Sequence, residues 1–353
     1  MTSTTSPGDR TENSVVTPDP VSATPATDAA SDPDAASTER PLTVVVLAGG
    51  ISHERDVSLR SGRRVTELLQ RAGHSARLEE PSGELLTASP DQRPDVYWVS
   101  LHGASGEDGT LQALLDLSGV SYVGTPAGAA ALAWSKPTAK AIVARAGLAT
   151  PEWVTLSRAS FRELGANQVL AAVGSGFGVP AVVKPEHGGS AQGITIVTDE
   201  AFLPRAMVDA YTYSDNALIE RHISGTELAI TVVDTGDGPV ALPPVEVAPV
   251  TGLYSFEARY NAGETVFYTP ARCDDDVLDR AADAAVRIHD LLGMRELSRI
   301  DMIVDDAGTP WFLEANMLPG TTETSLMPLA IRAAGIAEAD LYADLARAAL
   351  RRG

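Results

Sequence analysis

Residues Ser298 to Leu326 read SRIDMIVDDAGTPWFLEANMLPGTTETSL, and this stretch decides the fold. Two runs rich in strand formers, SRIDMIV and WFLEAN, flank turn-forming Asp and Gly residues, so the spacing predicts an antiparallel hairpin turning at Asp306 to Gly308. Side chains two apart on a strand share a face. That rule puts Arg299 with Asp301 and Glu314 with Asn316, and the hairpin brings the two faces together. Two carboxylates and an amide oxygen are hard ligands suited to Mg²⁺, which keeps coordination positions for water and substrate phosphates. Arg299 adds fixed positive charge for a developing anion. The pattern reads as a nucleotide-phosphate metal site, against the bland alternative of a hairpin with an exposed charged face. The MLPGTTETSL segment then sets a turn, hydroxyls and backbone amides at the same mouth, where they can hold a carboxylate or simply lead into a C-terminal helix.

Composition narrows the function. The chain has 353 residues, enough for several substrate-enclosing lobes. Its 27 Lys and Arg against 47 Asp and Glu give a formal net charge of -20, which repels phosphate backbones and anionic lipid, so neither nucleic acid nor membrane is an expected partner. Cations for a nucleotide must be gathered locally, and Lys136 and Lys184, at the ends of predicted elements, are the candidates. Cys273, the sole cysteine, excludes an intramolecular disulfide and thiolate metal sites. The N-terminus lacks the basic start and apolar run of a secretory signal, and no stretch reaches the roughly 20 apolar residues of a membrane span, so a cytoplasmic location is expected.

The chain divides into four parts. Residues 1–41 are an expected disordered tail, since Met1 to Arg40 contains no Lys and no aromatic residue. Residues 42–147 read as an N-terminal domain with a parallel sheet. LTVVVLAGG from Leu42 is a buried strand, Val57 to Ala72 a helix, DVYWVSL from Asp95 a second strand, and TLQALLDLSG a helix closed by Gly119. The loops Gly49 to Asp56 and His102 to Gly109 fall at the carboxyl ends of these strands, where such sheets bind ligands. There Glu54 can hold a substrate ammonium and His102 a substrate carboxylate.

Lys136 to Ala146 is an expected helix, and Gly147 to Pro151 a linker. Residues 148–224 read as a small central lobe in which VPAVVKP and GITIVT flank EHGGSAQ, an antiparallel hairpin with a glycine-rich tip. Its backbone amides can approach phosphate, although no Walker-type motif is present. Glu220 and Glu227 lie where they can contact the ribose and metal side of a nucleotide. Residues 225–353 hold the Ser298 to Leu326 segment, a helix near Asp275 to Leu292 and the terminal helices. The fold class is α/β (α+β) in three lobes. His53, His74, His187, His222 and His289 show no metal-ligand spacing, no GxSxG elbow occurs, and Gly49-Gly50 lacks the full dinucleotide fingerprint.

Taken in order, AGGISHERDVSLRSG, HGASGEDGTLQALLDLSGVSYVGT, VVKPEHGGSAQG, ALIERHISGTEL, YSFEARY and RIDMIVDDAGTPWFLEANMLPGTTETSL resemble the D-alanine:D-alanine ligases of the ATP-grasp superfamily. The resemblance spans about Thr43 to Ile336 and implies a three-lobed ATP-grasp fold, with a Rossmann-like N-terminal sheet. It implies that Glu54 holds the ammonium of the first D-alanine and forms a hydrogen-bonded triad with Ser190 and Tyr260, with His102 near that substrate's carboxylate. It makes Lys136 and Lys184 the ATP-phosphate lysines, with Arg259 in the lid. Glu220 and Glu227 would lie toward the ribose, and Ile223 at the adenine hinge. Asp301, Glu314 and Asn316 would bind two Mg²⁺ (or Mn²⁺) ions, Arg299 and the Gly320 backbone would stabilise the oxyanion, and Ser325 and Leu326 would receive the second substrate's carboxylate. The implied reaction runs through a D-alanyl phosphate, with GGSAQ and GLYSFEARYNAGE as lids, in a cytoplasmic homodimer serving peptidoglycan synthesis.

Four positions depart from the family pattern: Ser135 in place of Asp, Ala191 in place of Ser, Phe256 in place of Tyr, and Arg259 in place of Lys. They motivate an alternative in which a relative from a resistance or specialised-metabolite pathway joins a different amino or hydroxy acid. A non-catalytic nucleotide-binding protein is a further alternative, opposed by the intact set Asp301, Glu314, Asn316, Arg299 and Lys184. Tyr260 agrees with the amide-forming members.

Overall fold

The computed structural model describes residues 15–16, 40–250, 254, 258 and 263–352. Within these, the strands assemble into three sheets. In the N-terminal sheet, Thr43–Leu47 lies between Ser75–Glu79 and Val96–Val99, and Val96–Val99 pairs in turn with Tyr122–Val123, all parallel. Val44, Val45 and Val46 are wholly buried, as expected of a parallel strand covered on both faces. The helix that follows runs Arg55–Arg71, starting two residues earlier than the apolar spacing predicts.

The central sheet is antiparallel, in the order Trp153–Ser157, Asn216–Arg221, Ala181–Pro185, Thr195–Val197. The last two strands are the predicted glycine-tipped hairpin. In the third sheet Thr226–Val233 pairs with Leu297–Val304 along its whole length, and Leu297–Val304 pairs with Pro310–Asn316. On its other side Thr226–Val233 continues to Val245–Pro249 and Thr265–Tyr268. Two residues of the N-terminal tail, Val15–Val16, pair in parallel with Phe267 and Tyr268 at the edge of this sheet. Among the described residues no helix is long and apolar enough to cross a membrane.

The predicted turn closes the Leu297–Val304 and Pro310–Asn316 hairpin through one side chain. Asp305 Oδ1 accepts from the backbone N–H groups of Ala307 (3.0 Å) and Thr309 (2.9 Å), and its Oδ2 accepts from Trp311 Nε1 at 2.8 Å. Gly308 sits at a φ of 76°, which glycine adopts without strain.

The last helix, Glu338–Arg352, braces the N-terminal sheet. Its fully buried Tyr342 stacks on Trp98 of Val96–Val99 with ring centroids 5.0 Å apart and planes 1° from parallel. The Arg55–Arg71 helix is seated just as closely on the sheet. A Cβ at Gly62 would come 2.5 Å from Ala48 Cβ and 3.0 Å from Leu78 Cδ1. Gly62→Ala is therefore expected to lower the unfolding free energy by roughly 1–3 kcal/mol through overpacking, measured by denaturant titration.

Candidate active site

The strand register builds the centre of the site. Asp301 stands opposite Glu314 and Arg299 opposite Asn316, with an irregularity just after Asp301. Arg299 folds back on its own strand, donating from Nε to Asp301 Oδ1 (2.7 Å) and from a terminal nitrogen to Oδ2 (2.8 Å). Both residues are buried. Burial opposes the Arg299 charge, but Asp301 and then Glu314 outweigh it and hold the guanidinium above its ordinary pKa. Lys136, first residue of the Lys136–Arg145 helix, reaches across to place Nζ 3.3 Å from Glu314 Oε2 and donates to the Gly188 carbonyl at 2.7 Å. Asn316 Oδ1 accepts the Leu318 N–H at 3.0 Å.

A cleft of ≈ 470 Å³ opens between the central and third sheets. Lys184, Glu220, Ile223, Glu227, Asp301 and Glu314 all line it. Glu220, read from the sequence as facing a ribose, is 2 % exposed, and each of its oxygens meets a lysine. Lys184 Nζ lies 2.6 Å from Oε1, and Lys140 Nζ donates to Oε2 at 2.8 Å. Burial alone would raise the Glu220 pKa, but Lys184 and then Lys140 reverse that and lower it. Sequence reasoning missed Lys140. The available signal was its position one helical turn after Lys136, between Ala139 and Val143 on the buried face.

The loops at the sheet's carboxyl edge meet the glycine-rich tip. Ser190 Oγ donates to Glu54 Oε1, joining positions 136 residues apart. Ser190 and Ala191 both take left-handed backbone (φ 52° and 56°), a conformation uncommon for residues with a Cβ. His102 is buried, with Nε2 within 3.2 Å of Ser61 Oγ and Nδ1 3.9 Å from Glu107. Burial pushes the Glu107 carboxyl up, against the opposing pull of His102.

In the loop after the hairpin, Thr321 donates from its backbone to Ser61 Oγ at 3.5 Å and from Oγ1 to the Ser61 carbonyl at 3.3 Å. Ser325 Oγ lies 2.7 Å from Thr322 Oγ1, and a Cβ at Gly320 would come within 2.9 Å of it. Ser325 and Leu326 open the helix Leu326–Ala333, so unpaired backbone N–H groups of its first turn point out of this end.

Ser135 donates to Glu186 Oε1 at 2.9 Å, and Glu186 Oε2 accepts from Asn216 Nδ2 at 2.6 Å, so this departure is built into the hairpin's base. Ala191 lines the cleft. Phe256, Arg259 and Tyr260 lie outside the described residues.

The donor set fits magnesium. Asp301, Glu314 and Asn316 offer only oxygen ligands, and among the described residues no group of three or more His, Cys, Asp or Glu is placed to enclose a metal. Two carboxylates and one amide oxygen would leave positions for phosphate and water, as Mg²⁺ requires.

Three sheets, with a nucleotide-sized cleft between a glycine-tipped antiparallel hairpin and an acidic strand pair, define an ATP-grasp protein. Residues 142–347 match the family described as D-ala D-ala ligase C-terminus. The D-alanine–D-alanine ligase of Gloeobacter violaceus is 39% identical over 84% of this chain and 95% of its own length. Two solved structures resemble the fold, each 26% identical and covering 88% of this chain. One is the Bacillus anthracis D-alanine–D-alanine ligase complexed with ATP (TM-score 0.70, 98% of that chain). The other is the VanG D-Ala:D-Ser ligase of Enterococcus faecalis (TM-score 0.74, 100% of that chain). The chain belongs to the D-alanine–D-alanine ligase family.

Arg299→Lys keeps the charge but loses the two-pronged hold on Asp301. With that buried pair at the site's centre disrupted, kcat is expected to fall by about 100-fold, with far-ultraviolet circular dichroism unchanged.

Proposed function

We propose that the protein joins two D-alanines into D-alanyl-D-alanine, converting ATP to ADP and phosphate, and so supplies peptidoglycan precursor synthesis. The observation that carries this reading is the register that sets Asp301 against Glu314, both on a cleft shared with Lys184, and Arg299 against Asn316 on the same strand pair. It is an ATP-dependent ligase that forms a C–N bond, in agreement with its family.

In the proposed sequence, a carboxylate oxygen of the first D-alanine attacks the γ-phosphorus, the bond to the β-phosphate oxygen breaks, and ADP leaves. The deprotonated amine of the second D-alanine then attacks the acyl carbon, the C–O bond to phosphate breaks, and inorganic phosphate departs. Lys184 and Lys136 would hold phosphate oxygens, while Ile223 and Glu227, which line the cleft, would bound its nucleoside end. Asp301, Glu314 and Asn316 would hold magnesium, which when bound would neutralise charge on the phosphates.

Glu54, itself held by Ser190, would anchor the first ammonium, with His102 beside that substrate's carboxylate. Arg299 and the Gly320 backbone would meet the oxyanion. Ser325 and the Leu326 N–H would take the second carboxylate at the helix N-terminus, where anions are favoured. The segment of the proposed Tyr260 and Arg259 contacts would complete the enclosure that protects an acyl phosphate from water. The residue blocks 42–147, 148–224 and 225–353 are proposed as its three lobes, and the active form as a cytoplasmic homodimer.

The full chain incubated with MgCl₂, ATP and D-alanine is expected to release ADP and dipeptide in equal amounts, and absence of D-alanine-dependent ADP overturns the reading. Parallel assays with D-serine or D-lactate as acceptor decide between D-alanine and another second substrate. Glu314→Gln is expected to reduce turnover by about 1000-fold or more while leaving the fold intact, read by the same assay and by thermal melting.

A further inference from the structure

Lys140 lies deeper than the cleft. It is completely buried, and it is not among the residues that line the cavity, whereas its neighbours Lys184 and Glu220 are. Its Nζ donates to Glu220 Oε2 and to Thr150 Oγ1, each at 2.8 Å, and sits 5.2 Å from the centre of the Trp153 ring. Thr150 Oγ1 in turn donates to the Phe312 carbonyl at 2.8 Å, on the strand that carries Glu314. One ammonium thus ties the Lys136–Arg145 helix, the central sheet and the acidic hairpin together.

The charge arithmetic is unusual. Two ammoniums share one buried carboxylate, with Lys184 at 2.6 Å and Lys140 at 2.8 Å. A lone Lys184–Glu220 pair would be neutral and mutually satisfied, and drawing Lys184 toward a phosphate would strand a buried carboxylate, which is heavily penalised. The second ammonium removes that penalty. Resting on the ATP-dependent reading above, we propose that Lys140 is a positioning residue: it keeps Glu220 neutralised so that Lys184 is released to the nucleotide phosphates instead of being locked in a buried pair. Lys140 acts through Glu220 and touches no ligand.

The surroundings agree with this division of labour. The groups that face Lys140 are Glu220 and Lys184 from the central sheet, the Thr150 hydroxyl and the Trp153 ring. Burial pulls the Lys140 pKa down to about 8, an effect that Glu220 opposes and Lys184 reinforces.

The test is nucleotide binding, which needs no turnover and so separates failure of this inference from failure of the ligase reading. Titration calorimetry with a non-hydrolysable ATP analogue and with adenosine, which has no phosphate, is run on the full chain and on Lys140→Met, Glu220→Gln and the double variant. Lys140→Met is expected to weaken the ATP analogue by about 30-fold, the usual minimum for stranding a buried charge, and to leave adenosine unchanged. In the Glu220→Gln background there is no carboxylate to neutralise, so adding Lys140→Met is expected to change analogue affinity by less than about 3-fold. Equal weakening of adenosine, wild-type affinity in Lys140→Met, or a full loss on adding Lys140→Met to Glu220→Gln each overturns the proposal. Should Lys140→Met fail to fold alone, the comparison within the Glu220→Gln background still decides it.

Discussion

A charge removed from water has to be met by an opposite charge or by hydrogen bonds, and this site is organised around that requirement. Arg299 grips Asp301, Lys136 faces Glu314, and Lys140 and Lys184 flank Glu220. Four cations (Arg299, Lys136, Lys140, Lys184) and three carboxylates (Asp301, Glu314, Glu220) are paired here inside a chain whose formal net charge is -20. The general field of the protein repels a nucleotide, so attraction has to be local. Because the local cations are already held by carboxylates, they are pre-oriented, and a phosphate exchanges one set of charge partners for another with little rearrangement.

Much of this was legible because it depends on spacing. Residues two apart on a strand share a face whatever the rest of the chain does, so Arg299 with Asp301 and Glu314 with Asn316 follow from SRIDMIV and WFLEAN, and the DDAG turn aligned the two pairs. The buried Val44 to Val46 run announced a parallel strand, and the glycine-rich stretch from Gly188 announced the tip of an antiparallel hairpin. These are local rules that tertiary context had no cause to override.

What was not legible depends on contacts between distant segments. Glu54 and Ser190 meet across 136 residues, which no periodicity reveals; their pairing entered only through resemblance to a family. Lys140 reads as an ordinary helix lysine until the central sheet places Glu220 above it. The sequence places Glu220 toward a ribose but gives no sign of its burial between Lys184 and Lys140, which depends on how the central sheet packs on a distant helix. The Val15–Val16 pairing is of the same kind. Composition argues against order in that tail, yet an open sheet edge offers unpaired backbone groups to any extended segment within reach.

The Arg55–Arg71 helix shows how the proposed amino-acid sites can hold a common geometry although they are built from opposite ends of the chain. Its Ser58 hydroxyl donates to the Ser100 carbonyl at 2.6 Å and accepts the Gly49 N–H at 2.8 Å, fixing both strand-end loops of the N-terminal sheet. One turn on, Ser61 contacts His102 on one side and Thr321 on the other. A further step along, Arg64 pairs with Glu338 and lies 3.5 Å from Glu323, within the loop that leads to Ser325. The loop proposed for the first substrate and the loop proposed for the second are therefore both referenced to one rigid rod. Joining two amino acids requires the amine to approach the acyl carbon to roughly 3–3.5 Å, and an error of about 1 Å is costly. The height of the rod above the sheet is set by Gly62, whose missing side chain lets the helix settle onto Ala48 and Leu78. A packing contact with no chemistry of its own thus fixes the distance across which the proposed chemistry has to occur.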